Sequence, residues 1–154
     1  MILHGRQAVD AVEKQLGRLL NDIEHRVVMV EGCSTKEYFC SAGVLTNGVG
    51  QTGVWLNKTF PQALEYHIQR VRNRLPAYDS YPEYLKRELV QSEYRGDLGL
   101  SPKAMRLVRG GMYDQAAIEF LDHKEYRETE SEGYESALKP YLTRSTCTTA
   151  STLI

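Results

Sequence analysis

Glu31 is the residue of this chain best placed for acid–base chemistry. It follows the apolar stretch Val27-Val28-Met29-Val30 and precedes Gly32. A glutamate at a helix C-terminus meets the negative end of the helix dipole. Neighbouring valines desolvate it in part. Both effects favour the neutral carboxyl, and a carboxyl protonated near neutral pH can act as a general acid. The plainer alternative is a surface glutamate paired with Lys36 or Arg26. Beyond it, residues Tyr38 to Asn57 carry no charge. That run admits a buried strand pair, a membrane span, a ligand loop or a catalytic hairpin.

The other reactive side chains offer less. The three cysteines, Cys33, Cys40 and Cys147, are too few for a disulfide scaffold, and their number is odd. Reduced thiols and a Cys33–Cys40 bridge both stay open. The histidines His4, His25, His67 and His123 lack ligand spacing, so no metal and no cofactor is expected. The segment GVGQTG lacks the lysine and the following helix of a phosphate loop.

These residues need elements to position them. Val9, Val12, Leu16, Leu19, Ile23, Val27 and Val30 recur at spacings of three and four, which predicts one amphipathic helix over 6–30. Gly32 is its expected stop, with Glu31 in the last turn. Gly43, Gly48, Gly50 and Gly53 among β-branched residues predict short strands with tight turns over 38–56. Thr59 and Pro61 open a helix that Pro76 closes. Ser80 and Glu83 read as a capping box, with Pro82 in the first turn of a helix to about Tyr94. Further helices are expected from Ser101-Pro102 to Gly110, over 114–123 and over 131–142.

The expected fold is therefore α+β and mostly α. It is one domain over 1–142, with a long N-terminal helix (1–30), a small glycine-rich hairpin lobe (31–57) and a C-terminal helical lobe (58–142). Residues 143–154 read as a loose tail. A net charge of −1 gives no nucleic-acid footprint. The cluster Arg70, Arg72, Arg74, Lys86 and Arg87 reads as a solvated face. Asp10, Glu13, Lys14 and Arg18 interrupt any signal-peptide core. The run 38–57 has a spanning length, but its polar residues and glycines exclude a membrane span.

Eight residues separate Glu31 from Cys40, and five separate Cys40 from Thr46. Glutamate, eight residues, aspartate or cysteine, five residues, threonine resembles the active-site pattern of the phage lysozyme family, glycoside hydrolase family 24. The surrounding text is similar too: Glu31-Gly32, Tyr38, Ala42-Gly43-Val44, and Thr46-Asn47-Gly48-Val49-Gly50. The match is dense over 31–53 and weaker over 60–130. There GGMYDQAAIEFLDHKEYRET is similar to a C-terminal helix of the family. Gln51 stands where members often have histidine, and SEYRGDLG replaces an aromatic, Asn or Gln, x, Gly motif.

The resemblance implies a lysozyme-like fold and hydrolysis of the β-1,4 bond between N-acetylmuramic acid and N-acetylglucosamine in peptidoglycan. Glu31 would be the acid, Cys40 would hold a water or attack as thiolate, and Thr46 would orient that water. An attacking water implies inversion. Tyr38, Gly48 and Gln51 would contact substrate. Trp55, just past the hairpin, either packs or stacks on sugar. The resemblance extends to endolysins whose catalytic cysteine is caged by a neighbouring one, which implies a redox switch at Cys33 and Cys40. It places the protein in host cytoplasm before lysis or in a phage virion, acting on the cell wall. The competing reading is a catalytically silent lysozyme-fold protein for wall binding or particle assembly, its N-terminal helix docking on virion or tail proteins.

Overall fold

Gly17 decides the shape of the N-terminal third. In the computed structural model, which describes residues 1–96, 98 and 101–121, helix α1 runs from Gly5 to Leu16 and stops there. Gly17 takes a left-handed φ of 70°, and its N–H donates to the Glu13 carbonyl. A second helix, α2 (Asp22–Glu31), starts with a full capping box: Asn21 accepts from the Glu24 N–H, and the Glu24 carboxylate accepts from the Asn21 N–H. The single helix expected over 6–30 is thus two. The apolar spacing runs through the break by coincidence, and Leu19, counted in the stripe, is 80% exposed. The remaining stripe is internal. Val9, Val12 and Val27 are buried in the common core, so that stripe is not a surface for a virion partner.

The sheet is antiparallel with strand order β1-β2-β3-β4. The strands are β1 (Ile2–Leu3), β2 (Cys33–Phe39), β3 (Leu45–Gly48) and β4 (Gln51–Thr52). The edge strand β1 falls inside the segment read as helix. It pairs Leu3 with Cys33 and Ile2 with Ser34. Cys40 and Val44 close the β2–β3 hairpin: the Cys40 N–H donates to Val44, and the Gly43 N–H donates back to Cys40. Gly43, at φ 77°, fills the left-handed position that such a three-residue loop requires.

Helix α3 (Phe60–Arg74) begins at a Thr59–Gln62 capping box with Pro61 in its first turn. The box expected at Ser80–Glu83 does not form. Ser80 lies in a 3-10 turn over Tyr78–Ser80 and donates to the Ala77 carbonyl. Pro82 itself caps α4 (Glu83–Arg95). Two further helices follow, α5 (Pro102–Arg109) and α6 (Tyr113–Leu121). The architecture is α+β and mostly helical, with six α-helices and one four-stranded sheet among the described residues. The expected helix over 131–142, the tail 143–154, His123 and Cys147 lie outside them. Among the described residues no helix is long and apolar enough to cross a membrane.

Helix α4 organises the core. It packs against α2, α3 and α6. Leu85, Leu89 and Val90 are fully buried there, and Glu88, Gln91, Ser92 and Glu93 are buried with them. These polar groups are met by other helices. Glu88 takes the Arg26 guanidinium of α2. Glu93 takes the Arg70 Nε of α3 at 2.5 Å. In the basic cluster Arg72 pairs with Asp79 and Arg87 with Asp22.

Candidate active site

The junction between α2 and β2 fixes Glu31. Gly32 caps α2 at φ 77°, and a Cβ there would stand 2.6 Å from the Leu3 carbonyl oxygen. Only glycine lets β1 lie this close and the chain leave the helix at this angle. Glu31 is half-buried at the helix end. Its Oε1 accepts a hydrogen bond of 2.9 Å from the Gln91 Nε2 of α4. On its other side is the β3–β4 turn. A Cβ on Gly50 would lie 3.3 Å from Glu31 Oε2 and 3.9 Å from the Tyr94 ring. The Tyr94 hydroxyl donates to the Val49 carbonyl of the same turn. Burial, and then the charge of Glu31, push the Tyr94 phenol far above its ordinary pKa. Tyr94 therefore stays a neutral donor holding the turn against Glu31.

Cys40 directly follows β2 and is half-exposed. Backbone N–H groups of Val44 and Ala42 hold its thiol below the ordinary pKa; slight burial opposes them, and the Thr46 hydroxyl adds to them. The hairpin loop is thus a small nest for a thiolate. Thr46 is only 3% exposed, and its hydroxyl donates to the Val44 carbonyl at 2.8 Å. Tyr38 sits opposite Thr46 in the β2–β3 ladder. Burial, then the charge of Cys40, then that of Glu31 push the Tyr38 phenol up. One phenol feels both groups, so Glu31, Tyr38, Cys40 and Thr46 share a single electrostatic neighbourhood.

The remaining expectations are placed elsewhere. Gln51 is buried, and its amide donates to the Trp55 and Lys58 carbonyls while accepting from the Val49 N–H. Gly48, at φ 54°, makes room for it, since a Cβ there would stand 2.5 Å from Gln51 Oε1. Gly48 and Gln51, expected to contact substrate, brace the turn. Cys33 and Cys40 are both free. They bound an extended strand that rises about 3.3 Å per residue, so their Cα atoms stand roughly 20 Å apart. A bridge needs about 7 Å or less, so the expected Cys33–Cys40 disulfide requires β2 to be dismantled. Burial also pushes the Cys33 thiol up. Among the described residues no group of three His, Cys, Asp or Glu could hold a metal ion. Arg26, the alternative partner for Glu31, pairs with Glu88.

Gln91, Gly50 and Tyr94 are site residues that the sequence reading did not select. Gly50 lies in the segment 46–50 and Tyr94 in SEYRGDLG, where neither type of residue by itself indicates chemistry. Gln91 left only a faint signal, an uncharged polar residue between buried Val90 and Ser92. Compared with models of known families the chain matches none, and no curated protein matches it.

Proposed function

We propose that the protein is a lysozyme-like glycoside hydrolase that cleaves the β-1,4 bond between N-acetylmuramic acid and N-acetylglucosamine in peptidoglycan, with inversion. The observation that carries this reading is the shared neighbourhood of Glu31 and Cys40, with Tyr38 in the field of both. Glu31, held by Gln91, gives its proton to the leaving glycosidic oxygen. A water on the opposite sugar face attacks the anomeric carbon as the bond to that oxygen breaks. Its proton passes to the Cys40 thiolate, which the Val44 and Ala42 N–H groups favour. The Thr46 hydroxyl donates to Val44, so its oxygen lone pairs remain to accept from that water. The cycle closes when the Cys40 proton returns through solvent to Glu31. Inversion requires an acid on one side of the scissile bond and, on the other, a base with room for a water.

The protein so read belongs with phage lysozymes and acts on the bacterial wall, at host lysis or from a virion. Digestion of purified murein tests it. New reducing-end N-acetylmuramic acid, appearing first as the α anomer, is the expected result. Intact murein at every pH would instead fit a silent scaffold.

A further inference from the structure

Outside this site, α3 and the 3-10 turn over Gly53–Trp55 form an open groove of about 630 Å³ lined by Trp55, Pro61, Gln62, Glu65, Tyr66 and Gln69. That is within the usual size of ligand sites. Its floor is aromatic. The Trp55 and Tyr66 rings lie 5.1 Å apart, tilted by 42°, and Tyr66 is 42% exposed. Such a pair offers flat faces on a surface where one more apolar side chain would normally be hidden.

The rim is polar and already oriented. Gln62 Oε1 is held by the Thr59 N–H and hydroxyl, so among the described residues its Nε2 donors are left to the groove. Gln69 Nε2 donates to Glu65 Oε1 at 2.9 Å, leaving the Gln69 carbonyl and Glu65 Oε2 as acceptors. Gln62 and Gln69 are seven positions apart on one helix, so donors and acceptors are separated by about 10 Å along it. The nearest cations are engaged: Arg70 pairs with Glu93, donates to the Tyr66 hydroxyl and lies over one face of the Tyr66 ring, which leaves the other face to a ligand, and Arg72 pairs with Asp79 and, at 3.6 Å, with Glu65 Oε1. The one charge of the lining, Glu65, is met by Arg72, and neither arginine is left unpaired for an anion, so the groove suits a neutral ligand.

We propose that this groove binds a neutral acetamido sugar segment of a β-1,4-linked glycan. The C–H faces of the rings would lie on Trp55 and Tyr66. Gln62 would donate to an acetamido carbonyl, and Gln69 and Glu65 would accept from N–H and hydroxyl groups. Tyr66 packs edge-on against His67, and His67 against Tyr94, which borders Glu31. The platform is thus joined by a row of rings to the wall of the candidate active site. The choice of glycan rests on the muramidase reading; the platform itself does not.

Trp55 is the single tryptophan of the chain, so its emission reports on this groove directly. The full-length protein and its Glu31→Gln variant are titrated with N,N′,N″-triacetylchitotriose. The expected result is a saturable change in both, weakened about tenfold in Tyr66→Ala and several-fold in Gln69→Ala. Gln69 lies on an exposed helix face, so it serves if Tyr66→Ala does not fold. No saturable change up to about 10 mM sugar overturns the platform. So does a change that survives both substitutions. If murein is degraded while Trp55 stays silent, the platform fails and the hydrolase reading stands. If Trp55 responds while murein stays intact, the platform stands and the hydrolase reading fails.

Discussion

Gln91 reaches from the buried face of α4 to donate its amide proton to Glu31, the last residue of α2, at 2.9 Å. Gln91 is itself 1% exposed, so the carboxylate is aimed by a side chain that cannot easily move. Gln91→Leu should remove that anchor. The loss of a buried hydrogen bond to a charged group should cost about 1–3 kcal/mol, read as a lower urea midpoint. Murein hydrolysis should fall through kcat with little change in KM. Unchanged turnover in a folded variant would show that Glu31 needs no such anchor.

Gly50 tests the opposite side of the carboxylate. At φ +63°, with a Cβ position 3.3 Å from Glu31 Oε2, alanine there strains the backbone and presses on Glu31. Gly17→Ala is the matched control, since Gly17 has φ +70° and open space around its Cβ position. Both variants should lose about 1–2 kcal/mol of stability. Only Gly50→Ala should also lose activity. Equal activities would place Gly50 away from the chemistry.

Arg26 and Glu88 form an ion pair between α2 and α4, both almost fully buried. Arg26→Met should cost about 3–5 kcal/mol, because the Glu88 carboxylate then stays buried without this cation. Adding Glu88→Leu should restore much of the loss. Denaturant melts of the single and double variants decide it, and a double variant no better than the single would refute the pairing as the source.

Cys40 and Cys33 should differ in chemistry. The Cys40 thiol titrates below its ordinary range and the Cys33 thiol above it. As pH rises, alkylation by iodoacetamide should therefore plateau first at Cys40, read by peptide mass. Thr46→Val removes the neighbouring hydroxyl that helps hold the Cys40 thiol low and should move that plateau up. If the thiolate is the base, hydrolysis falls as pH drops through the Cys40 pKa. Cys40→Asp, ionised to a much lower pH, should extend activity toward acid. Equal alkylation of the two thiols would contradict the nest at the hairpin.

The helical parts of the fold were largely legible. Thr59 with Pro61, Ser101-Pro102 and Gly110 marked helix ends by local chemistry, and local chemistry fixed them. The N-terminal error came from weighing spacing over caps: Asn21-x-x-Glu24 marked a helix start inside an unbroken apolar stripe. Strand β1 was invisible because two residues have no period, and its place depends on Gly32, far along the chain. The grouping of Tyr38, Cys40 and Thr46 followed from hairpin register. Gln91 could not be read, since its role depends on how α4 packs against α2, a tertiary fact that no local pattern encodes. The structural role of Gln51, tying backbone carbonyls across the turn, was not legible either, since a polar residue in a turn looks available to ligand.

The central claim is that Glu31 is the proton donor of a muramidase. Glu31→Gln keeps the size of the side chain and removes the acid. Zymography on purified murein, with wild type beside Glu31→Gln at matched circular-dichroism melts, tests it most directly. The account predicts clearing by wild type and a loss of at least about a hundredfold in the variant. A folded Glu31→Gln that clears murein at the wild-type rate would contradict it.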